Sequence, residues 1–146
     1  MRFRLAARDV PGRLATGGFI LHSGLKKWGA APEVAAGVHG MASGAFPFLG
    51  RVEPEKFLRI LAAGEIATGV ALLTPGVPSE LAGLALTGFS GALLTMYLRT
   101  PALHEPGSIW PTPAGTAVSK DVWMLGIGLG MVADAVAGQR RARPAS

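Results

Sequence analysis

One acid stands in the middle of a long apolar run: Glu65, inside KFLRILAAGEIATGVALLT from Lys56 to Thr74. A helix of about 19 residues, at 1.5 Å per residue, is long enough for a hydrocarbon core of about 30 Å. A carboxylate at that depth costs roughly 2.5 to 3.5 kcal/mol on insertion scales, so it implies a partner or a use. His22, Ser23 and Lys26 fall within one turn of an earlier apolar run, Thr87 and Ser90 lie on a later one, and Arg13 lies near a chain end. Two readings of Glu65 stay open. In the first it bonds to His22, Thr87 or Ser90 and fixes helix register, because interhelical polar bonds are common glue. In the second it is a proton-active group. Either way it should point into a bundle. His22 is the first expected partner, since both residues sit about halfway across adjacent antiparallel helices, and Ser90 and Arg13 follow. Lys26 shares a face with His22 at i, i+4 but can also snorkel. Arg13 is further expected to pair with Asp134 at a common interface.

Other chemistry is largely excluded. The chain has no cysteine, which removes disulfides, thiol catalysis, iron–sulfur clusters and thiolate zinc sites from this chain alone. Its three histidines argue against a multi-histidine metal site, and no metal site is expected. His22 alone is more often a hydrogen-bonding residue than a haem or metal ligand. His39 could cap a pocket, but like His104 it lies outside the main apolar runs and reads first as interfacial. Gly128-x-Gly130-x-x-Ala133 loosely matches a dinucleotide fingerprint. That fingerprint needs a preceding strand and an acid about 20 residues on; here it reads as helix packing. No catalytic residue is expected from the chain alone.

The elements that must position these groups are helices. Of 146 residues 49% are hydrophobic and only 16% charged, with 21 glycines. A soluble domain carries about 25% charged residues, and glycine is commoner in membrane helices. The fold expected is all-α, an antiparallel bundle of four transmembrane helices plus one short interfacial helix, forming a single domain. The spans run over about 11–28, 56–74, 79–98 and 118–137, with the interfacial helix over about 32–43 and an outer loop over 99–119. The run Leu14 to Leu21 reads as part of a retained span rather than a cleaved signal, because Lys26 and Lys27 follow and no small-residue cleavage site does. Gly17, Gly18 and Gly24, the Gly83–Thr87–Ser90–Gly91 stripe, and Gly126-x-x-x-Gly130 mark expected close helix contacts.

The net charge of +5 lies in arginines at both chain ends, beside apolar runs. Anionic lipid headgroups suit it better than nucleic acid, and no nucleic-acid partner is expected. Lys and Arg counts on the two faces tie, and the purely arginine cluster before the first span places both termini in the cytoplasm. Trp28, Tyr97, Trp110 and Trp123 would then form a belt on the outer side.

RLATGGFILHSGLKKW, GEIATGVALL before a proline-containing turn, and DVWMLGIGLGMVAD together resemble the DoxX family of small bacterial four-helix membrane proteins. The likeness runs from about Arg13 to Asp134. The positions matching its pattern are Arg13, Gly24, Lys26 or Lys27, and Glu65, and the stretch from Ala42 to Leu49 with the proline-rich loop is similar to an actinobacterial branch. The resemblance implies a multi-pass protein of the bacterial inner membrane. It further implies an accessory subunit of a quinone-linked or redox-stress complex, not catalytic alone, with quinone contacted near Glu65, His22 and Arg13. Its implied partners are the lipid bilayer and other membrane redox subunits, with a homo-oligomer as a further arrangement. An anchor or assembly protein is the second reading and a small transporter the third.

Overall fold

The structure is a computed structural model that describes residues 5–142. It is all-helical, and among the described residues extended structure is confined to one isolated bridge between His104 and Pro111. The helices are α1 (Val10–Trp28), α2 (Pro32–Ala45), α3 (Pro54–Leu73), α4 (Ser79–Arg99), the single turn α5 (Thr116–Ser119) and α6 (Asp121–Ala142). Prolines open α1, α2 and α3 within their first two positions, where the missing N–H is no loss. Pro75-Gly76 and Pro78 break the chain between α3 and α4. The first four helices match the expected bounds within about two residues, the usual scatter of helix ends, whereas the last starts three residues later than expected and runs five residues past 137.

The long helices form two close antiparallel pairs. In the first, α1 meets α3 through glycines: a Cβ on Gly24 would stand 2.9 Å from Glu65 Cβ, and one on Gly69 would stand 2.8 Å from the Leu21 backbone nitrogen. In the second, α4 meets α6, with Gly83 2.9 Å in the same sense from the carbonyl oxygen of Gly128. Ile20, Leu72, Ala82, Leu86 and Met131 join the two pairs in one core. Helix α2 lies against α3 and α4.

Two segments, Ser79–Arg99 and Thr116–Arg141, are long and apolar enough to cross a membrane. Helices α1 and α3 are as long but carry Arg13, Lys26 and Lys27, and Glu55, Lys56, Arg59 and Glu65.

Two sequence expectations need correction, the glycine contacts and the place of Tyr97 in the aromatic belt. A Cβ added at Gly126 or Gly130 would meet nothing within 4 Å, and it is Gly128 between them that packs; Gly18 and Gly91 are likewise open. The loop from 100 to 120 is folded. Tyr97 donates to the Ile109 carbonyl at 2.7 Å, Thr112 Oγ1 to the Ala102 carbonyl at 2.8 Å, and a short 3-10 turn covers Pro101–Leu103. Tyr97 is therefore buried, while Trp28, Trp110 and Trp123 remain exposed.

Candidate functional site

Glu65 is 4% exposed and faces α1, as an acid in the middle of an apolar run requires. Its partner is Lys27, whose Nζ lies 3.0 Å from Oε1 and 3.2 Å from Oε2. Lys27 also donates to Ser23 Oγ at 2.6 Å, and the Ser23 hydroxyl donates to Glu65 Oε1 at 3.4 Å. The sequence reading was one helical step out of phase. Successive residues turn about 100° around an α-helix, so Ser23 and Lys27, at i and i+4, share the face toward α3. His22 and Lys26 share the next face and are exposed. Neither contacts Glu65.

Arg13 is also buried, at 2% exposure, but belongs to another device. It lies 14 residues before Lys27, roughly 21 Å along the helix. Its guanidinium donates to the carbonyls of Leu72 at 2.7 Å, Ala71 at 2.9 Å, Thr74 at 2.8 Å and Val77 at 3.0 Å, and to Ser79 Oγ at 3.3 Å. These groups include the orphan carbonyls at the C-terminus of α3 and the turn into α4. Five N–H donors in a planar fork suit that cluster, and the helix dipole favours a cation there. The expected Arg13–Asp134 pair does not form. Arg8 takes Asp134 instead, at 2.7 Å on the exposed surface.

Ser90 is fully buried and bonds back to the Leu86 carbonyl of its own helix at 2.7 Å, so it is not a partner of Glu65. Thr87 packs against Gly128, and its Oγ1 is buried without a hydrogen-bond partner. His39 holds α2 to the following loop, with Nε2 2.9 Å from the Leu49 carbonyl oxygen and its ring edge-on to Phe57. His104 packs edge-on against Tyr97.

Around the Lys27–Glu65 pair the helices leave a cavity of about 660 Å³. Its walls are apolar and aromatic, with Phe19, Phe57, Phe89 and Met124 among them. Its polar residues are Ser23, Lys27, Glu65 and Asp121, the first residue of α6. Asp121 is 8% exposed and lies within the electrostatic reach of Glu65 and Lys27. Ser23 is among the groups the sequence offers to Glu65 and Lys27 is an alternative to Lys26 only through the resemblance, while Asp121 is not singled out at all. The i, i+4 pairing of Ser23 with Lys27 was available as a signal; Asp121 joins only through the α6 position in three dimensions. A second cavity of about 350 Å³, beside Arg8, Glu80 and Asp134, lies at the opposite end of the bundle.

The arrangement can receive a molecule with an apolar body and one polar end, within the usual 300 to 1,000 Å³ range of ligand sites. Among the described residues, no group of three or more metal-ligating side chains is gathered to hold a metal ion. Comparison with protein-family models, with curated proteins and with solved structures finds no match for this chain.

Proposed function

We propose that this chain is a four-span integral membrane protein that serves as an accessory subunit of a quinone-linked redox complex in the bacterial inner membrane. The observation that carries the reading is the apolar cavity ending on Lys27, Glu65 and Asp121. The outward residues support a bilayer: Leu14, Phe19 and Leu25 on α1, Ile60 and Val70 on α3, Leu81 and Leu84 on α4, and Leu129 on α6 are all exposed. In water such faces would be a liability. The charges that lower the hydropathy of α1 and α3 fit the same reading. Arg13, Lys27 and Glu65 are satisfied inside, and Lys26, Glu55, Lys56 and Arg59 gather toward the end where α1 stops and α3 starts.

A quinone supplies two-electron, two-proton redox capacity when bound. This chain would contribute Phe19, Phe57 and Phe89 to enclose a ring and chain, Asp121 and the Lys27–Glu65 pair to orient a polar head, and carboxylates that can hold a proton. Purified protein in nanodiscs, titrated with a decyl-chain benzoquinone and its hydroquinone, should bind at least one form. Ala92→Trp, which fills the cavity wall, should remove that binding. Binding of neither form ends the ligand reading. Capture of a dehydrogenase or oxidase with the tagged protein would support the subunit assignment.

An anchoring role is the second reading. It is favoured by Ile109 and Trp110, which are 71% and 72% exposed on the folded loop and offer a docking surface. Capture of a partner that is lost in Trp110→Ala, together with no ligand binding, would favour it. Transport gains no support, since α3 and α4 run unbroken and discontinuous helices are the usual mark of a midplane transport site.

A further inference from the structure

The side-chain hydrogen-bond donors at the polar end of the cavity are already spent. Lys27 carries three N–H protons. Its Nζ makes three contacts, to Ser23 Oγ at 2.6 Å and to the Glu65 oxygens at 3.0 and 3.2 Å. The Ser23 proton is directed to Glu65 as well. Asp121 is in the opposite state. It is nine-tenths buried and lines the cavity, and among the described residues its carboxylate takes part in no hydrogen bond and no ion pair. An ionised carboxylate only accepts hydrogen bonds, and the Asp121 oxygens stay open to the cavity rather than sealed in the core. At a pH where Asp121 is ionised, the free side-chain valence facing the cavity is an acceptor, and two carboxylates share one ammonium.

We propose that the cavity holds an amphiphile by a hydrogen-bond-donating head, a phenolic hydroxyl seated on the Asp121 carboxylate, and discriminates against heads that only accept. The proposal rests on the quinone reading of this cavity and sharpens it: the reduced hydroquinone, with two hydroxyl donors, is the form the site selects. The oxidised ring offers two carbonyl acceptors, which would meet no free side-chain donor and would face carboxylate oxygens. An ammonium head would also answer the unpaired carboxylate, and the phenol is the donor head that the quinone reading of the cavity supplies.

Equilibrium titration of the full chain in nanodiscs tests this with four probes: a decyl-chain hydroquinone, the matching quinone, the hydroquinone dimethyl ether and n-decylamine. The protein has no cysteine, so the reductant that keeps the hydroquinone reduced cannot alter a disulfide. The hydroquinone should bind about tenfold or more tightly than the quinone and the dimethyl ether, the order expected of one hydrogen bond to a charged group. Asp121→Asn keeps the size, removes the charge and adds an amide donor. It should weaken the hydroquinone about tenfold and strengthen the quinone. The wild-type comparison stands without any variant, so misfolding of Asp121→Asn would not remove the test.

Quinone binding equal to or tighter than hydroquinone would overturn the selection while leaving the cavity a quinone site. Tighter binding of n-decylamine would overturn it in favour of an ammonium head. Binding of none of the probes would remove both this inference and the reading beneath it.

Discussion

Two cations on one helix do different work, and the difference is set by what each can reach. Arg13 sits at the end of α1 where α3 stops, and its fork closes a set of carbonyls. Arg13→Met should destabilise the protein strongly, since each buried acceptor left without a donor costs about 1 to 3 kcal/mol. Arg13→Lys should fall between the two, because an ammonium on a flexible stem cannot span the same acceptors. Thermal unfolding in detergent would rank the three, and equal midpoints would show that the fork is not a structural cap. Lys27 sits where α3 presents an acid. Lys27→Met leaves Glu65 buried without a counter-charge, a change that costs about 3 to 5 kcal/mol in typical buried pairs. Adding Glu65→Gln should recover a large part of that loss, whereas independent effects would make the double variant the worst of the set. The burial of Glu65 is legible in the sequence from its place in the middle of an apolar run. Its partner was not, because the choice between Lys26 and Lys27 is a single 100° step of helix phase, and hydropathy leaves that phase undetermined.

At the scale of the elements, prolines and glycines announced the helix boundaries, and local backbone chemistry is what fixes such boundaries. Pairing between helices depends instead on which small residues meet, and the sequence offers more glycines than the interfaces use. Gly24, Gly69, Gly83 and Gly128 lie at close approaches, while Gly126 and Gly130 lie open despite their four-residue spacing. The prediction is a contrast. Gly69→Ala should destabilise by about 1 to 3 kcal/mol, since its new methyl meets the backbone of Leu21, which cannot move aside. Gly130→Ala should be neutral or stabilising by roughly 0.5 to 1 kcal/mol, because alanine is the better helix former. Unfolding in detergent at low protein concentration measures both. A stability loss in Gly130→Ala that grows with protein concentration would reveal a second copy packed on that face.

For the whole molecule, the two ends of the bundle are chemically unlike. One end carries the folded loop, the exposed Trp28, Trp110 and Trp123, and the cavity residues Lys27 and Asp121. The other carries the Arg8–Asp134 pair and the Gln139–Glu80 hydrogen bond, with Arg140 and Arg141 in the last turn of α6. Aromatic residues favour the membrane interface, and arginine clusters favour the cytoplasmic side. On the four-span reading the tryptophan end then faces out, and a hydrophobic ligand would reach Asp121 from the outer half of the bilayer. The orientation can be read directly, since each introduced cysteine would be the only one in the chain. Ser108 lies in the folded loop, and Gly138 lies 17 positions beyond Asp121 on α6, roughly 25 Å further along. Ser108→Cys in intact cells should react with a membrane-impermeant maleimide, and Gly138→Cys should react only after permeabilisation. The reverse pattern would keep four spans and invert them, moving the cavity to the cytoplasmic half. Reaction of both in intact cells would remove the four-span arrangement, because α6 would no longer separate its two ends by a bilayer.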